Sequence, residues 1–294
     1  MDKEDSLKYL NSCTRANPGL LIFIVDQSEI TSSLCEDGLS LAQKASDAVN
    51  RCVFYMGMRF TSGCTIKPST YIAIITHGGK PDNTALLVCM DTIDKLLANP
   101  KRIEHQKTVI IFDKEPYEID YDIPIQIEST SNGRPNLLDA FSCAINVIKS
   151  WQQRENYNET QIRDKNLDPV PIIVNIMHES IPCDNVLFSI VNKIKKTTLV
   201  DGNPLIVNCI LSSDDKGEDL PPVNSAVESD IDKIASYIPK ELVKEFKMSG
   251  FVDVDCNHKL ILNRLGTHSD HLLENIIEAI WWRVNNWREP NDFR

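Results

Sequence analysis

"LIFIVDQSEITSS", residues 21–33, is the stretch that decides the fold. Five apolar residues run without a break into Asp26, which is typical of a strand buried on both faces of a sheet. Asp26 and Ser28 then begin a loop of the kind that binds metal ions, with oxygen-bearing side chains two positions apart. That pattern stops at Glu29 and Ile30, where a small residue and a second hydroxyl would complete such a site.

The rest of the chain alternates between apolar runs rich in Ile and Val and segments of helical periodicity. Buried strands are predicted at 19–26, 70–79, 169–178 and 203–212. Helices are predicted at 38–56, 137–148, 184–196 and 272–284. Weaker patterns predict a short helix at 91–97, a strand at 108–113, an exposed edge strand at 123–129, helices at 228–237 and 239–248, and a strand at 258–263. This alternation predicts an α/β fold, a three-layer doubly wound and mostly parallel central sheet with helices on both faces.

The domain organisation follows from the same patterns. One domain is predicted over 18–285, preceded by an N-terminal extension over 1–17 and followed by a tail over 286–294. Within the domain we expect an insertion at about 80–118 and a helical elaboration at about 212–250. The acidic, proline-bearing stretch 212–225 is predicted to be an exposed loop.

Composition excludes several classes of function. The net charge of −11 argues against a nucleic-acid partner, because phosphate binding needs clustered Lys and Arg. No apolar run reaches the ~20 residues that span a bilayer, and the acidic N-terminus lacks the order of a signal peptide. We therefore expect no membrane partner and a cytoplasmic location. The nine cysteines form no CxxC pair, so neither a disulfide framework nor a zinc cluster is predicted.

Five motifs, taken in order, carry a family resemblance. They are "LIFIVDQS" (21–28), "LAQKASDAVNRC" (41–52), "YIAIITHG" (71–78), "NGRPNLLDAF" (132–141) and "PIIVNIMHES" (171–180). Together they resemble a von Willebrand factor A (VWA) domain, and more closely the bacterial cytosolic proteins of that kind. The resemblance covers about residues 18–285.

The resemblance implies a metal-ion-dependent adhesion site (MIDAS), which usually holds magnesium. Its loops supply Asp-x-Ser-x-Ser, a Thr at the start of a helix and an Asp after a buried strand. In this chain Asp26 and Ser28 match the first two ligands. The other positions are taken by Ile30, Arg134 and the pair Met177–His178.

Arg134 carries most weight against a bound cation, because its guanidinium is always charged and would repel a divalent ion nearby. We predict instead an internal salt bridge between Arg134 and Asp26 in place of the metal, and no cofactor. Magnesium stays open as an alternative. So does a zinc or manganese site in which Asp26 and His178 are joined by Glu179 or His77.

The predicted function is that of a non-catalytic, protein-binding scaffold or adaptor with a degenerate MIDAS. The resemblance implies a bacterial signalling, stress-response or defence module, with another protein such as a kinase or phosphatase as partner. The predicted contact surface comprises the 212–225 loop, the exposed Trp282 and Trp287, and the loops around Ser28, Glu29, Arg134, His178 and Glu179.

Two alternatives remain open. One is a metal-dependent VWA binding domain with the atypical ligands Asp26, Ser28 and His178. The other is a metal-dependent hydrolase that uses Asp26, His77 and His178. The number of replaced site residues, and the absence of any nucleophile–base motif in the sequence, favour the scaffold over both.

Overall fold

The computed structural model describes residues 8–80, 82–112, 115–155, 162–212, 229–251, 253–262 and 270–281. The strands are β1 (Gly19–Gln27), β2 (Thr61–Ser62), β3 (Thr65–Ile66), β4 (Thr70–Gly78), β5 (Leu86–Thr92), β6 (Arg102–Phe112), β7 (Glu115–Ile125), β8 (Ile172–His178), β9 (Leu205–Leu211) and β10 (Ile261–Leu262). The helices are α1 (Leu41–Arg59), α2 (Ile93–Ala98), α3 (Leu137–Gln152), α4 (Asn185–Lys195), α5 (Asp230–Ile234), α6 (Val243–Met248) and α7 (Asp270–Trp281). No helix in these ranges is long and apolar enough to cross a membrane.

A six-stranded sheet forms the centre of the molecule, in the order β10-β9-β8-β1-β4-β5. Neighbouring strands are parallel except β5, which runs antiparallel to β4 at one edge. All nine residues of β1 are buried, as expected for a central strand covered on both faces. The predicted α/β class and mostly parallel sheet are confirmed.

The two faces of β1 face two separate layers of helices. Leu21, Phe23 and Val25 belong to a core shared with α1, α6 and α7. Leu20, Ile22 and Ile24 belong to a second core shared with α3, α4 and α5. Successive side chains of a strand point to opposite faces, so one uninterrupted apolar run supports both layers.

Polar caps begin the long helices where the sequence places them. The side chains of Ser40, Asn136 and Asp184 accept hydrogen bonds from the backbone N–H three residues later, in α1, α3 and α4 respectively. Each cap satisfies one of the N–H groups that a helix end leaves without a partner. All three helices follow loops at the carboxyl edge of the sheet, so their caps help to fix those loops.

The segment between β4 and α3 differs from the prediction. β5 was not predicted, and the stretch 123–129 is not an exposed edge strand of the main sheet. Residues 123–125 are the last residues of β7, and β7 pairs with β6 in a separate antiparallel hairpin. Ile123, Ile125 and Ile127 are buried, so the alternation marks a face packed on the body. Asn50 of α1 fixes this segment, because its side chain bonds the backbone at 126 and 127.

The described part of the N-terminal extension is tied to the body. The backbone N–H groups of Leu10 and Asn11 both donate to Asp201 Oδ1, at 2.5 and 3.0 Å. Most of the predicted acidic loop 212–225, the two tryptophans 282 and 287, and the tail 286–294 lie outside the described residues.

Candidate functional site

The candidate site lies at the carboxyl ends of three neighbouring parallel strands. Asp26 near the end of β1 is directly opposite His77 of β4 in the strand register. His178 ends β8, on the other side of β1. Parallel strands bring their carboxyl ends to one edge of the sheet, where ligands of such folds bind. The sheet therefore brings together the residues that the strand pattern predicted there.

The Asp26 carboxylate is fully buried and is held by backbone amides. Its Oδ1 accepts from the N–H of Ser28 at 2.9 Å, and its Oδ2 accepts from the N–H of His178 at 3.4 Å. Asp26 is 0% exposed. Backbone N–H groups stabilise a buried carboxylate through their dipoles, without a formal positive charge. Backbone N–H groups just after β1 and at the end of β8 thus stabilise the Asp26 carboxylate.

His77 is the nearest titratable group to this carboxylate. Its Nδ1 lies 3.8 Å from Asp26 Oδ1 and accepts the N–H of Asn136 at 3.3 Å. An Nδ1 that accepts a backbone N–H carries no proton, so the neutral ring holds its proton on Nε2. Burial lowers the pKa of His77, and the Asp26 carboxylate opposes that shift. The pair is therefore a buried carboxylate beside a neutral imidazole.

Two polar atoms beside Asp26 have no hydrogen-bond partner among the described residues. They are Ser28 Oγ and His77 Nε2, and both residues are 0% exposed. Burying a hydroxyl or an imidazole N–H without a hydrogen bond is unfavourable. Ser28 Oγ and His77 Nε2 therefore keep a hydrogen-bonding capacity that no described residue satisfies.

The side chains of His178 and Glu179 make no hydrogen bond or ion pair with Asp26. His178 Nδ1 accepts from the backbone N–H of Ser180 at 3.1 Å and lies 2.8 Å from the Ser180 hydroxyl oxygen. The ring therefore folds into its own turn, and only the backbone of His178 contacts the carboxylate. Glu179 is exposed on the surface of the same turn.

The predicted ion pair between Asp26 and Arg134 is wrong. Arg134 is exposed, its backbone N–H donates to Asn83 Oδ1 at 2.7 Å, and its side chain makes no ion pair with any described residue. The physical reason is that the amides of the Ser28 and His178 loops already stabilise the buried carboxylate. Arg134 can therefore keep its charge in water, where a guanidinium is best solvated.

Backbone hydrogen bonds seal the loops above Asp26. Glu29 N–H donates to Gly133 O at 2.9 Å, and Asn132 N–H donates to Gln27 O at 2.9 Å. Gly78 has a φ of +71°, and a Cβ there would lie 2.4 Å from Ser28 N. Only glycine permits that conformation together with so close an approach. The paired glycines 78 and 79, at the end of β4, were the sequence signal for this closure, and the strand pattern alone did not reveal it.

The residues present do not fit a magnesium site of the MIDAS kind. Met177 is buried in the apolar core and Ile30 offers no oxygen ligand, so two of the positions that would complete the set beside Asp26 and Ser28 cannot coordinate a hard cation. Within the described part of the chain, no cluster of three or more His, Cys, Asp or Glu could hold a metal ion. The hydrolase arrangement is likewise incomplete, because the His178 ring turns toward Ser180.

Comparisons with known proteins assign no family. No protein-family model and no curated protein matches the chain. Among solved structures, proximal thread matrix protein 1 (PTMP1) from the mussel byssus is similar over 92% of this chain and 49% of its own, at 9% identity and a TM-score of 0.48. The chain thus spans about half the length of that protein.

Two further structures extend the comparison. PTMP1 with a zinc-occupied MIDAS motif is 10% identical over 92% of this chain and 49% of its own, with a TM-score of 0.44. Three N-terminal domains of the type V pili tip protein Mfa5 from Porphyromonas gingivalis are 11% identical, over 57% of this chain and 22% of that one, with a TM-score of 0.33. At these identities and TM-scores the neighbours carry no argument about this chain, and its α/β fold rests on its own strand order.

Proposed function

We propose that this chain is a non-catalytic protein-binding module of the VWA type whose metal site is degenerate. The observation that carries the proposal is the state of Asp26. Its carboxylate is 0% exposed and both of its oxygens accept backbone N–H groups. A cation arriving from solvent would have to pass the loops above Asp26, and it would find no oxygen ligand at Ile30 or Met177.

The partner contacts the surface above this carboxylate, which we call the top face and define by Glu29, Arg134, His178 and Glu179. Glu29, Arg134 and Glu179 are exposed and His178 is half-buried, whereas Ser28 lies beneath them at 0% exposure. Loops held on a rigid sheet are well suited to recognition, because the scaffold fixes their geometry. The mixed charges of this face favour a partner with charged groups of both signs.

The biological setting of the proposal rests on the sequence resemblance alone. VWA-like proteins of the bacterial cytosolic kind act in signalling, stress-response and defence modules, and a kinase or phosphatase of the same module is the proposed partner. The proposal that the chain is not an enzyme is supported by the two site histidines. His77 is buried with its Nδ1 occupied by Asn136, and the His178 ring is occupied by Ser180.

A second candidate, a metal-dependent binding domain, is favoured by one observation. Ser28 Oγ is buried beside Asp26 without a hydrogen-bond partner among the described residues. This oxygen and the Asp26 carboxylate are the candidate ligands of such a cation, and the His178 ring would have to turn away from Ser180 to join them. Thermal unfolding with and without magnesium, zinc or manganese separates the candidates, because a ligand that binds only the folded state raises its melting temperature.

The proposed function is tested by capture of the partner with the tagged chain, in magnesium and in EDTA. We expect the same partner in both conditions. Arg134→Glu should abolish capture because it reverses a charge on the top face. Arg15→Glu is the matched control, since Arg15 is also an exposed arginine and lies before β1, at the opposite end of the sheet.

Three outcomes would count against the proposal. Capture lost in EDTA would favour the metal-dependent candidate. Capture unaffected by Arg134→Glu would remove the top face from the interface. Equal loss with Arg15→Glu would show a general charge effect instead of a specific contact.

A further inference from the structure

A groove of about 730 Å³, which we call the α4 groove, lies between α4 and the end of α5, and no top-face residue lines it. One wall is a single face of α4, because its lining residues recur every three or four positions. These residues are Asn185, Phe188, Asn192 and Lys195. The opposite wall includes Lys233, Tyr237 and Lys259. The volume lies within the range of about 300–1,000 Å³ that is typical of small-molecule sites.

The three lysines of the α4 groove are bonded within the protein. Lys195 Nζ donates to two backbone carbonyls at the end of α5 and just after it, at 2.7 and 2.6 Å. Lys259 is only 2% exposed, and its Nζ donates to the carbonyl of Asp232 at 2.5 Å. Lys233 forms an ion pair with Asp230 at 2.7 Å. These ammonium groups therefore fix the walls relative to one another, and they are not free to bind an anion.

The hydrogen-bonding groups that the α4 groove keeps free are neutral. The side-chain amides of Asn185, Asn192 and Asn203 line the groove and make no hydrogen bond within the described part of the chain. The Tyr237 hydroxyl has no hydrogen-bond partner there either. A carboxamide offers two N–H donors and a carbonyl acceptor, and a phenol hydroxyl both donates and accepts. Such groups match the hydroxyls of a neutral polar ligand, because each ligand hydroxyl also donates and accepts.

An aromatic ring lies on each wall of the groove. Phe188 is half-buried on α4, and Tyr237 is 50% exposed on the opposite wall. The Lys233 ammonium lies 5.1 Å from the centre of the Phe188 ring, and the Lys259 ammonium lies 4.8 Å from that of Tyr237. These cation–π contacts help to hold the rings in position. Their accessible surface is flat and apolar, which suits the C–H groups on one face of a sugar ring.

The α4 wall presents an amide, a ring and a second amide in line. A helix rises about 1.5 Å per residue, so Asn185 and Asn192 are about 10 Å apart along its axis, with Phe188 between them. That distance exceeds the length of a single pyranose ring. A sugar that reaches both amides therefore needs at least two linked rings.

We propose that the α4 groove binds a neutral oligosaccharide. The asparagine amides and the Tyr237 hydroxyl bind sugar hydroxyls, and the Phe188 and Tyr237 rings pack against the C–H faces of the pyranose rings. A purely apolar ligand would cover the amides without offering them hydrogen bonds, which is unfavourable. This site is separate from the proposed protein-binding face and does not depend on it.

Calorimetry of the full chain with cellobiose, maltose, lactose and chitobiose tests the proposal. At least one disaccharide should bind, and its monosaccharide should bind at least about threefold more weakly because it reaches fewer amides. Raising NaCl from about 0.05 M to about 0.5 M should leave the affinity unchanged within about twofold, since a neutral ligand has no charge to screen. No binding by any of these disaccharides would overturn the proposal. Inorganic phosphate binding as tightly as the disaccharide would overturn the assignment of a neutral ligand.

Variants locate the site. Asn192→Ala should weaken binding of that disaccharide about threefold to tenfold, because it removes a hydrogen-bonding group while alanine favours the helix. Tyr237→Leu should also weaken it, because the aromatic surface is lost. Ser189→Ala is the matched control, since Ser189 is an exposed polar residue of α4 that does not line the groove. Equal weakening by Ser189→Ala, or none by both Asn192→Ala and Tyr237→Leu, would overturn the α4 groove as the binding site.

Discussion

Two carboxylates at opposite ends of the sheet are kept from water by different means. Asp26, at the carboxyl end of β1, is held by backbone amides beside the neutral His77. Asp168, just before β8 at the amino end, is held by the guanidinium groups of Arg154 and Arg163. The arginine–carboxylate pairing that was expected at Asp26 thus occurs at the other end of the molecule. In both cases the carboxylate is stabilised by the donors that the neighbouring elements present to it.

The Asp168 cluster is mostly buried. Its Oδ1 lies 2.6 Å from Arg154 Nη2 and accepts from Asn17 Nδ2 at 2.8 Å, while Oδ2 pairs with Arg163 Nη2. The side chains of the two arginines are only 8% and 5% exposed. Arg154 also covers the Trp151 ring at 4.1 Å. This cluster joins the end of α3, the loop before β8 and the segment before β1, so its role is structural.

The largest expected effect is that of Asp168→Ala. Removing the carboxylate leaves two nearly buried guanidinium groups without their shared partner, which should reduce the free energy of unfolding by about 3–5 kcal/mol. Urea denaturation measures the loss. Asp120→Ala, in the exposed pair with Lys107 on the hairpin, is the control and should change little. A loss for Asp168→Ala no greater than that of the control would show that the cluster does not stabilise the fold.

Asp26→Asn should be the next most costly change. One oxygen that accepts a backbone N–H becomes an NH₂ group facing that donor, so a buried N–H loses its partner at a cost of about 1–3 kcal/mol. The same denaturation experiment gives the value. A loss as large as that of Asp168→Ala would mean that a full positive charge, and not amide dipoles, compensates Asp26.

The pH dependence of stability tests the state of His77. Burial lowers its pKa, so the unfolded chain, with an ordinary pKa of about 6.5, takes up this proton first as pH falls. The stability that depends on neutral His77 is therefore complete above about pH 6.5 and is lost progressively below it. The slope is at most about 1.4 kcal/mol per pH unit for one proton.

Denaturation midpoints between about pH 7 and pH 5, compared with His77→Gln, measure this slope. The variant should show a shallower decline. His105→Gln is the control, because the His105 side chain is 84% exposed. An unchanged slope in His77→Gln would mean that the buried imidazole does not titrate differently in the folded and unfolded states.

The Asp26 and Asp168 sites also differ from what the sequence could predict, whereas the buried strands do not. Buried strands have a strong apolar signal, so β1, β4, β8 and β9 and the meeting of Asp26 with His77 were predictable from strand ends alone. Side-chain direction after a strand has no such signal. The loops around Arg134 and His178 decide whether a side chain or a backbone amide reaches Asp26, and no pattern of apolar and polar residues encodes that choice. β5 was not predicted for a different reason, because its apolar and polar residues do not alternate regularly.

The smallest expected effect is that of Arg134→Ala. It tests directly whether an arginine stabilises Asp26 as Arg154 and Arg163 stabilise Asp168. Arg134 is exposed and pairs with no described carboxylate, so its loss should change the free energy of unfolding by no more than about 0.5 kcal/mol. Arg154→Ala, the matched change at the other end of the sheet, should cost several times more because it breaks a buried pair.

A double-mutant cycle makes the test sharper. If amides alone hold Asp26, Asp26→Asn and Arg134→Ala should be additive within about 0.5 kcal/mol. A larger coupling energy would show that Asp26 and Arg134 interact, and it would support the prediction that a guanidinium takes the place of the metal.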